Sequence, residues 1–385
     1  MNASLPPVVL TPHQQIAFDS LLDFAINSDA GAAVLEGYAG CGKTTLVGQL
    51  VDALQERGLA VVVGAPTNKA VSVLSSKIGH CDAGTIHSLL GLRAKEKGDG
   101  TVSLEAEGLP SIGSYDVAVI DECSMMSREL LAHTFRYRGP CKMLFVGDPA
   151  QLPPVGDGDE SPVFRDVQLK VRLSEVVRQA ADNPIIAMTM AIRRAIEEQR
   201  RVTLQEIADV IPQGAAQAGI VPGNAQTVLD IAIGEYRRNV DCRIVAYTND
   251  QVMTYNRGVH AALHGAHAGC EFMPGERLIV QQEFRNRERE RVFTSEEVVF
   301  VGAEEGDEKF GLRTWRATLR RDDGSTVLAV IPDSANQVEQ RIRQQWREWH
   351  RLKRVEQQTA DYEARAKIGL YVACTRASHH MAIIA

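Results

Sequence analysis

The chain lacks the features that would send it through or across a membrane. No apolar run approaches the roughly 18 residues of a membrane span, and no basic segment precedes an apolar stretch at the N-terminus. The expectation is a soluble, cytoplasmic protein with no membrane partner. Cysteine lacks any pattern: the seven thiols, at 41, 81, 123, 141, 242, 270 and 374, form no Cys-x-x-Cys pair and keep no regular spacing. That argues against a disulfide framework and against a zinc site. An excess of positive charge is also missing. Forty-two lysines and arginines stand against 49 acids, a formal net charge of −7, so any polyanion must be met by a local basic stripe. What is present, 385 residues of which 44% are hydrophobic, suffices for more than one domain with its own core.

The most informative segment runs from Gly37 to Thr44 and reads Gly-Tyr-Ala-Gly-Cys-Gly-Lys-Thr. It follows the apolar run Ala32–Leu35 and precedes a helical pattern. Glycines in that setting let successive backbone N–H groups turn inward around an anion, at the positive end of the following helix. Gly37, Gly40, Cys41, Gly42, Lys43, Thr44 and Thr45 are therefore candidate nucleotide-binding residues. Lys43 reaches for the β- and γ-phosphates, and the Thr44 hydroxyl is a candidate Mg²⁺ ligand.

Around the loop, strand and helix alternate. Leu46, Val47, Leu50, Val51 and Leu54 keep a 3.6-residue apolar period up to Arg57-Gly58, predicting a helix closed by glycine. Leu59–Ala65, Val117–Ile120 and Met143–Val146 read as strands buried on both faces, which suits a parallel α/β sheet. The last two end in acids, Asp121-Glu122 and Asp148, where open α/β sheets bind ligands. Beside a phosphate loop, Asp121 is placed to hold the metal and Glu122 to accept a proton from an attacking water. The chemistry implied is hydrolysis of ATP or a related triphosphate with Mg²⁺.

Further motifs follow in order: Leu10-Thr11-Pro12-His13-Gln14, Ala65-Pro66-Thr67, Thr85-Ile86-His87-Ser88, Asp121-Glu122-Cys123-Ser124-Met125, Gly147-Asp148-Pro149-Ala150-Gln151-Leu152-Pro153-Pro154-Val155, Tyr247-Thr248-Asn249 and Tyr371-Val372-Ala373-Cys374-Thr375-Arg376-Ala377. With the loop at 37–44, this series resembles the motifs of superfamily 1 helicases, above all the Dda-type and RecD-type branch. The resemblance implies 5′-to-3′ movement on single-stranded DNA, two RecA-like motor domains and a monomer, with DNA-replication or repair proteins as possible partners. It assigns Gln14 to adenine, Gln151 to sensing the γ-phosphate, and Arg178 and Arg376 to arginine fingers, with Lys43 and Glu122 completing the catalytic set. Pro66, Thr67, Thr85, His87, Thr248 and Asn249 match positions that touch the DNA backbone. The residues alone leave other roles open: Thr67 and Thr248 as helix caps, His87 as a core histidine, the arginines as surface ion-pair partners. They also leave open an ATPase or remodelling clamp that does not unwind, and a nucleotide-gated protein-binding module.

The expected layout is a first RecA-like domain over 1–168 with a hairpin insertion at about 92–113. A second such domain would take 169–265 and 361–385, and an SH3-like barrel with a basic helical segment would take 266–360. Strands are expected at Leu169–Leu173 and Arg243–Tyr247, a helix at Asn183–Ile196, and short barrel strands at Arg277–Val280, Glu297–Val301, Trp315–Leu319 and Thr326–Ile331, with Asp323-Gly324 as a hairpin turn. Arg341–Arg354 interleaves six lysines and arginines with Trp346 and Trp349, which suits either a strand-tracking surface or a helix docked through its tryptophans. The Thr-x-His-x-x-Gln-Gly loop of superfamily 1 is missing before Tyr371. Its absence implies weak coupling between nucleotide and DNA.

Overall fold

The computed structural model describes residues 9–332 apart from 39, 79, 97–101, 155–159, 176–183, 199, 202, 204, 207–208, 210–222, 239, 241, 247, 266–271, 281–283, 287–289, 294–295 and 308–312. The chain divides into two compact units, Met1–Val221 and Pro222–Ala385. Arg178, Arg376, the basic segment 341–354 and the region expected to lack a loop before Tyr371 lie outside the described residues.

The first unit is built on a six-stranded parallel sheet. Its strands are β1 (Ala32–Gly37), β2 (Val61–Ala65), β3 (Asp82–Thr85), β6 (Val117–Ile120), β7 (Lys142–Gly147) and β8 (Leu169–Leu173), in the order β3-β2-β6-β7-β1-β8. The hairpin β4 (Leu92–Glu96) and β5 (Val102–Ala106) stands apart from this sheet, pairing Leu92 with Ala106 in antiparallel register.

Helices cover both faces, which is why the central strands carry unbroken apolar runs. On one side lie α1 (Pro12–Asn27), α2 (Lys43–Gln55) and α3 (Asn68–Lys77), whose Leu21, Phe24, Leu46, Leu50 and Leu74 enclose Leu35, Val63 and Val119. On the other, α4 (Ile86–Leu89), α5 (Arg128–Tyr137) and α6 (Pro162–Asp166) close over Val62, Ile120 and Phe145. Helix α1 begins with a capping box: Gln14 N donates to Thr11 Oγ1 at 3.2 Å, Thr11 N donates to Gln14 Oε1 at 2.9 Å, and Pro12 occupies the first turn. Its far end is closed by Lys142, whose ammonium donates to the carbonyls of Phe24 (2.9 Å) and Ser28 (2.6 Å), a cation at a helix C-terminus.

Strand β8 corrects the expected boundary at residue 169. It is the edge strand of the first sheet, paired in parallel with β1 from Ala33↔Leu169 to Gly37↔Leu173. The reason is electrostatic as well as apolar: Glu36 on β1 is buried, and Lys170 and Arg172 on β8 supply its counter-charges at 3.5 and 3.1 Å. Helix α7 (Pro184–Glu197) follows and also belongs to the first unit.

The second unit contains α8 (Ala225–Arg237) and α9 (Asn249–His264), joined where Arg237 donates to the Ala262 carbonyl at 3.2 Å. After them comes an antiparallel sheet of β9 (Arg277–Ile279), β12 (Glu297–Glu305), β13 (Thr314–Arg321) and β14 (Thr326–Pro332), in the order β14-β13-β12-β9, beside the short pair β10 (Phe284–Arg285) and β11 (Arg291–Val292). Alternate residues, Val298 and Phe300, Ala317 and Leu319, Val327, Ala329 and Ile331, form its core. Asp323-Gly324 makes the β13–β14 turn, with Ser325 N donating to Asp323 Oδ1 at 2.8 Å.

The buried strand expected at Arg243–Tyr247 is not there. Residues 242–246 take no regular structure and Val245 is 92% exposed, because among the described residues no strand pairs with this segment. Among the same residues, parallel pairing is confined to the first unit, and no helix is long and apolar enough to cross a membrane.

Candidate nucleotide site at the carboxyl edge of the sheet

Strand β1 ends at Gly37 and α2 begins at Lys43, so the glycine-rich sequence is the turn between them. Gly40 and Gly42 hold φ values of 80° and 84°, a left-handed conformation that strains any residue with a side chain. Gly42 caps α2 without a side-chain hydrogen bond, which leaves the first-turn N–H groups of Lys43, Thr44 and Thr45 directed out of the helix end. Cys41 is the inward anchor: its side chain is fully buried in the core, and burial pushes its thiol pKa up. The Lys43 ammonium lies in the mouth of the turn, donating to the carbonyls of Gly37 at 2.7 Å and Tyr38 at 3.0 Å.

Gln14 is buried against this loop and donates from Nε2 to the Cys41 carbonyl at 3.0 Å. Its amide oxygen is already taken by Thr11, so within the chain Gln14 fixes the phosphate loop to α1 and retains one N–H for another partner.

Asp121 and Glu122 leave β6 at the same edge. Burial raises the pKa of both carboxyls; for Glu122 the Asp121 charge adds to this, and the Lys43 cation offsets part of it for each. Glu122 is the single non-glycine residue with positive φ, 54°, among the described residues. An L-residue held there costs roughly 1–2 kcal/mol, strain of the kind that gathers at functional sites. Its N–H donates to Asp121 Oδ1 at 2.9 Å, locking the two acids together. Gln151, on the loop after β7, accepts from the Ser124 hydroxyl at 3.3 Å and so connects the two acidic loops.

A second arginine-centred cluster was not anticipated from the sequence. Asp148, at the end of β7, accepts from Arg193 Nη1 of α7 at both carboxylate oxygens, at 2.7 and 2.9 Å. The same guanidinium stacks 3.4 Å from the centroid of the Tyr38 ring, and the Tyr38 hydroxyl donates to Glu197 Oε1 at 3.1 Å. Asp148 is near enough to Cys41 and Glu122 to raise the pKa of each. No local signal marks Arg193: it is one of two adjacent arginines on an amphipathic helix outside every motif, and its partners Asp148 and Tyr38 lie 45 and 155 residues earlier.

The candidate DNA residues fall on the β3–β2 side of the same edge. Pro66 and Thr67 follow β2 and Thr85 ends β3, where Ala65 and Thr85 are register partners. Thr67 caps α3 by accepting from Ala70 N at 3.3 Å, and Thr85 caps α4 by accepting from Ser88 N at 3.2 Å. His87 is half-buried and burial lowers its pKa, so it offers a neutral imidazole and not a cation. In the second unit, Thr248 caps α9 in a capping box with Gln251, and Asn249 is the first helical residue.

A glycine-rich turn opening a helix, half-buried paired acids and a parallel sheet converging on one edge define a P-loop nucleotide-binding domain. The family model described as an AAA domain matches residues 9–215, more than half of the chain, and the chain belongs to that family. Its relatives include the ATP-dependent RecD2 DNA helicase of Deinococcus radiodurans, 36% identical over 154 residues, which are 40% of this chain and 20% of that protein. The ATP-dependent DNA helicase dda of Enterobacteria phage T4 is 27% identical over 284 residues, 71% of this chain and 61% of the relative. The resemblance to RecD-type and Dda-type helicases is thus borne out, while the chain spans less than two thirds of either protein. The crystal structure of Pif1 helicase from Candida albicans aligns with 84% of this chain and 79% of its own at 18% identity, with a TM-score of 0.39.

Proposed function

We propose that the chain is an ATP-hydrolysing motor that moves on single-stranded DNA, 5′-to-3′, and separates duplexes. The observation that carries this reading is the shared edge. The phosphate turn, Asp121-Glu122 and the Pro66-Thr67 and Thr85-His87 loops all leave the carboxyl ends of one sheet, with β2 paired both to β3 and to β6, the strand that Asp121 follows. A shift of the acids on hydrolysis is therefore transmitted to the loops assigned to DNA through directly bonded strands.

In this reading the first-turn amides of α2 and the Lys43 ammonium bind the ATP phosphates, Gln14 contacts adenine, and Glu122 takes a proton from the attacking water. Gln151 senses the γ-phosphate, while Arg178 and Arg376 supply the guanidiniums that neutralise the transferring group. The Thr44 hydroxyl and Asp121 carboxylate are hard oxygen donors suited to Mg²⁺, which when bound neutralises phosphate charge. The donor chemistry fits such a cation: two half-buried carboxyls whose pKa values burial raises stand beside the Thr44 hydroxyl, and positive charge there favours their ionised forms. A second RecA-like domain and an SH3-like barrel in the later half complete the proposed motor, with strand-binding by Thr248 and Asn249.

The test is ATP turnover with and without single-stranded DNA, beside displacement of 5′- and 3′-tailed duplexes. Stimulated turnover with unwinding of the 5′-tailed substrate is expected. Stimulation without displacement would indicate a remodelling clamp, and turnover indifferent to DNA would indicate a nucleotide-gated protein-binding module.

Two substitutions probe individual residues. Lys43→Ala should lower ATP affinity about 10- to 100-fold, the loss of one or two charge-assisted hydrogen bonds, as read by titration with a fluorescent nucleotide. Thr67→Asp separates capping from DNA contact. Aspartate caps a helix as well as threonine, so melting temperature should hold, but a carboxylate facing a phosphate should weaken DNA binding about tenfold or more. Unchanged DNA affinity would leave Thr67 as a cap alone.

A further inference from the structure

The second unit holds a cluster of ligating side chains that the motor reading does not use. His260 and His264 stand one turn apart on α9, their ring centroids 5.0 Å apart. Both direct a nitrogen at the same oxygen of Glu276: His260 Nδ1 lies 2.7 Å from Oε1 and His264 Nε2 lies 3.3 Å from it. Glu276, just before β9, is 2% exposed. Its other oxygen, Oε2, accepts from Met273 N at 2.8 Å, which fixes the orientation of the carboxylate.

A hydrogen bond from His260 to Glu276 would be an ordinary way to tie a helix to a sheet. It does not account for His264. The Nε2 of His264 is shielded from solvent and makes no hydrogen bond, because its 3.3 Å approach to Glu276 is misaligned for one. Leaving such a nitrogen unsatisfied costs roughly 1–3 kcal/mol. A metal ion that accepts a lone pair from each ring and from the carboxylate removes that cost.

The geometry agrees with such an ion. At ligand distances of about 2.0–2.1 Å, two donors of a tetrahedral zinc site are about 3.3 Å apart. The His264–Glu276 separation already has this value, the 2.7 Å hydrogen-bond distance from His260 to Glu276 opens by about 0.6 Å to admit the ion, and all three ligand atoms lie within 4.8 Å of one another. Two imidazoles with one carboxylate are a zinc donor set, and imidazole disfavours Mg²⁺ and Ca²⁺. The hydrogen bond from Met273 is the outer contact that orients a ligating carboxylate. Both histidine side chains are 22% exposed, so the cluster lies near the surface although the ligating His264 Nε2 is itself covered.

We propose that His260, His264 and Glu276 form a zinc site that staples α9 to the start of β9. The two histidines come from one helix and the glutamate from the segment before β9, so a bound ion cross-links two parts of the chain that are twelve residues apart at their closest, His264 and Glu276. The absence of Cys-x-x-Cys pairs, which argued against zinc, does not bear on a site made of histidine and carboxylate.

The test uses the full chain, stripped with a chelator and dialysed, titrated with Zn²⁺ alone against a chromogenic competitor, without nucleotide or Mg²⁺. One zinc per chain is expected, together with a zinc-dependent rise in melting temperature. His264→Gln and Glu276→Gln should each weaken binding about 100-fold or more and abolish the thermal shift. His260→Asn guards against a folding artefact, because asparagine can still donate to Glu276 in place of Nδ1. It should therefore keep the zinc-free melting temperature near that of the wild type and lose zinc. Equal affinity in the wild type and all three variants, or no zinc uptake by the folded wild-type chain, would overturn the proposal. None of these readouts depends on ATP or DNA.

Discussion

Glu122→Gln should bind ATP as tightly as the wild-type chain and hydrolyse it about 10²–10⁴ times more slowly. Glutamine keeps the length and the left-handed backbone position but cannot take a proton from water. The same substitution should leave the nucleotide-free protein as stable as wild type or more so at neutral pH. The sign follows from linkage. The folded-state pKa of Glu122 is raised, first by burial and then by Asp121, so the folded state holds the proton more tightly than the unfolded state. Its contribution to stability is present below the unfolded value of 4.5 and is lost as pH rises through the folded one. Above that window the ionised group is a burden that glutamine removes. Turnover of the wild type should rise over the same window, as the base becomes ionised. Nucleotide titration, single-turnover hydrolysis and thermal melts at two pH values check all three statements. Near-normal turnover in the variant would remove Glu122 from the role of base.

Arg193→Ala should be the most damaging change outside the phosphate turn. Arg193 and Asp148 are 11% and 7% exposed, and truncating one member of such a pair leaves a buried charge alone, at a cost of roughly 3–5 kcal/mol. The orphaned Asp148 would add its charge to those of Asp121 and Glu122, and Tyr38 would lose the cation stacked on its ring. Two companions make the measurement decisive. Arg193→Ala with Asp148→Asn should recover much of the lost stability, since the stranded charge goes with its partner. Arg193→Lys should recover little, because an ammonium that reaches Asp148 cannot also lay a planar group on the Tyr38 ring and donate to Glu197. If the double variant melts no higher than Arg193→Ala, the ion pair is not what holds α7 to the loop.

Much of the first unit was legible because its signals are local. The glycine turn, the period of α2 and the apolar runs of β2, β6 and β7 each state their structure within a few residues, and the acids at the ends of β6 and β7 follow from the strand assignment. The alternating strands β9, β12, β13 and β14 were readable for the same reason. What escaped depends on partners distant in sequence. Leu169–Leu173 was read correctly as a strand and assigned to the wrong sheet, because only the buried Glu36 opposite Lys170 and Arg172 places it beside β1. Arg243–Tyr247 has the composition of a strand, and a strand needs a neighbour that the segment lacks among the described residues. Arg193 looked like any helix-surface arginine until Tyr38 and Asp148 stood next to it. The His260/His264 pair carries no signal of its own without Glu276, since nothing in a sequence says which carboxylate faces a given helix.

The strand order also has a consequence for synthesis on the ribosome. Strand β1, which leads into the phosphate turn, is made first, yet its two neighbours, β7 and β8, are the last strands of the sheet to emerge. Until residue 147 is available, β1 has neither of its hydrogen-bonding partners, and the apolar run Ala32–Leu35 has no sheet to enter. Nascent chains arrested before that point should carry the whole Gly37–Thr44 sequence and retain no nucleotide. They also expose an unpaired hydrophobic strand, the kind of surface that chaperones take up and that aggregates when they do not.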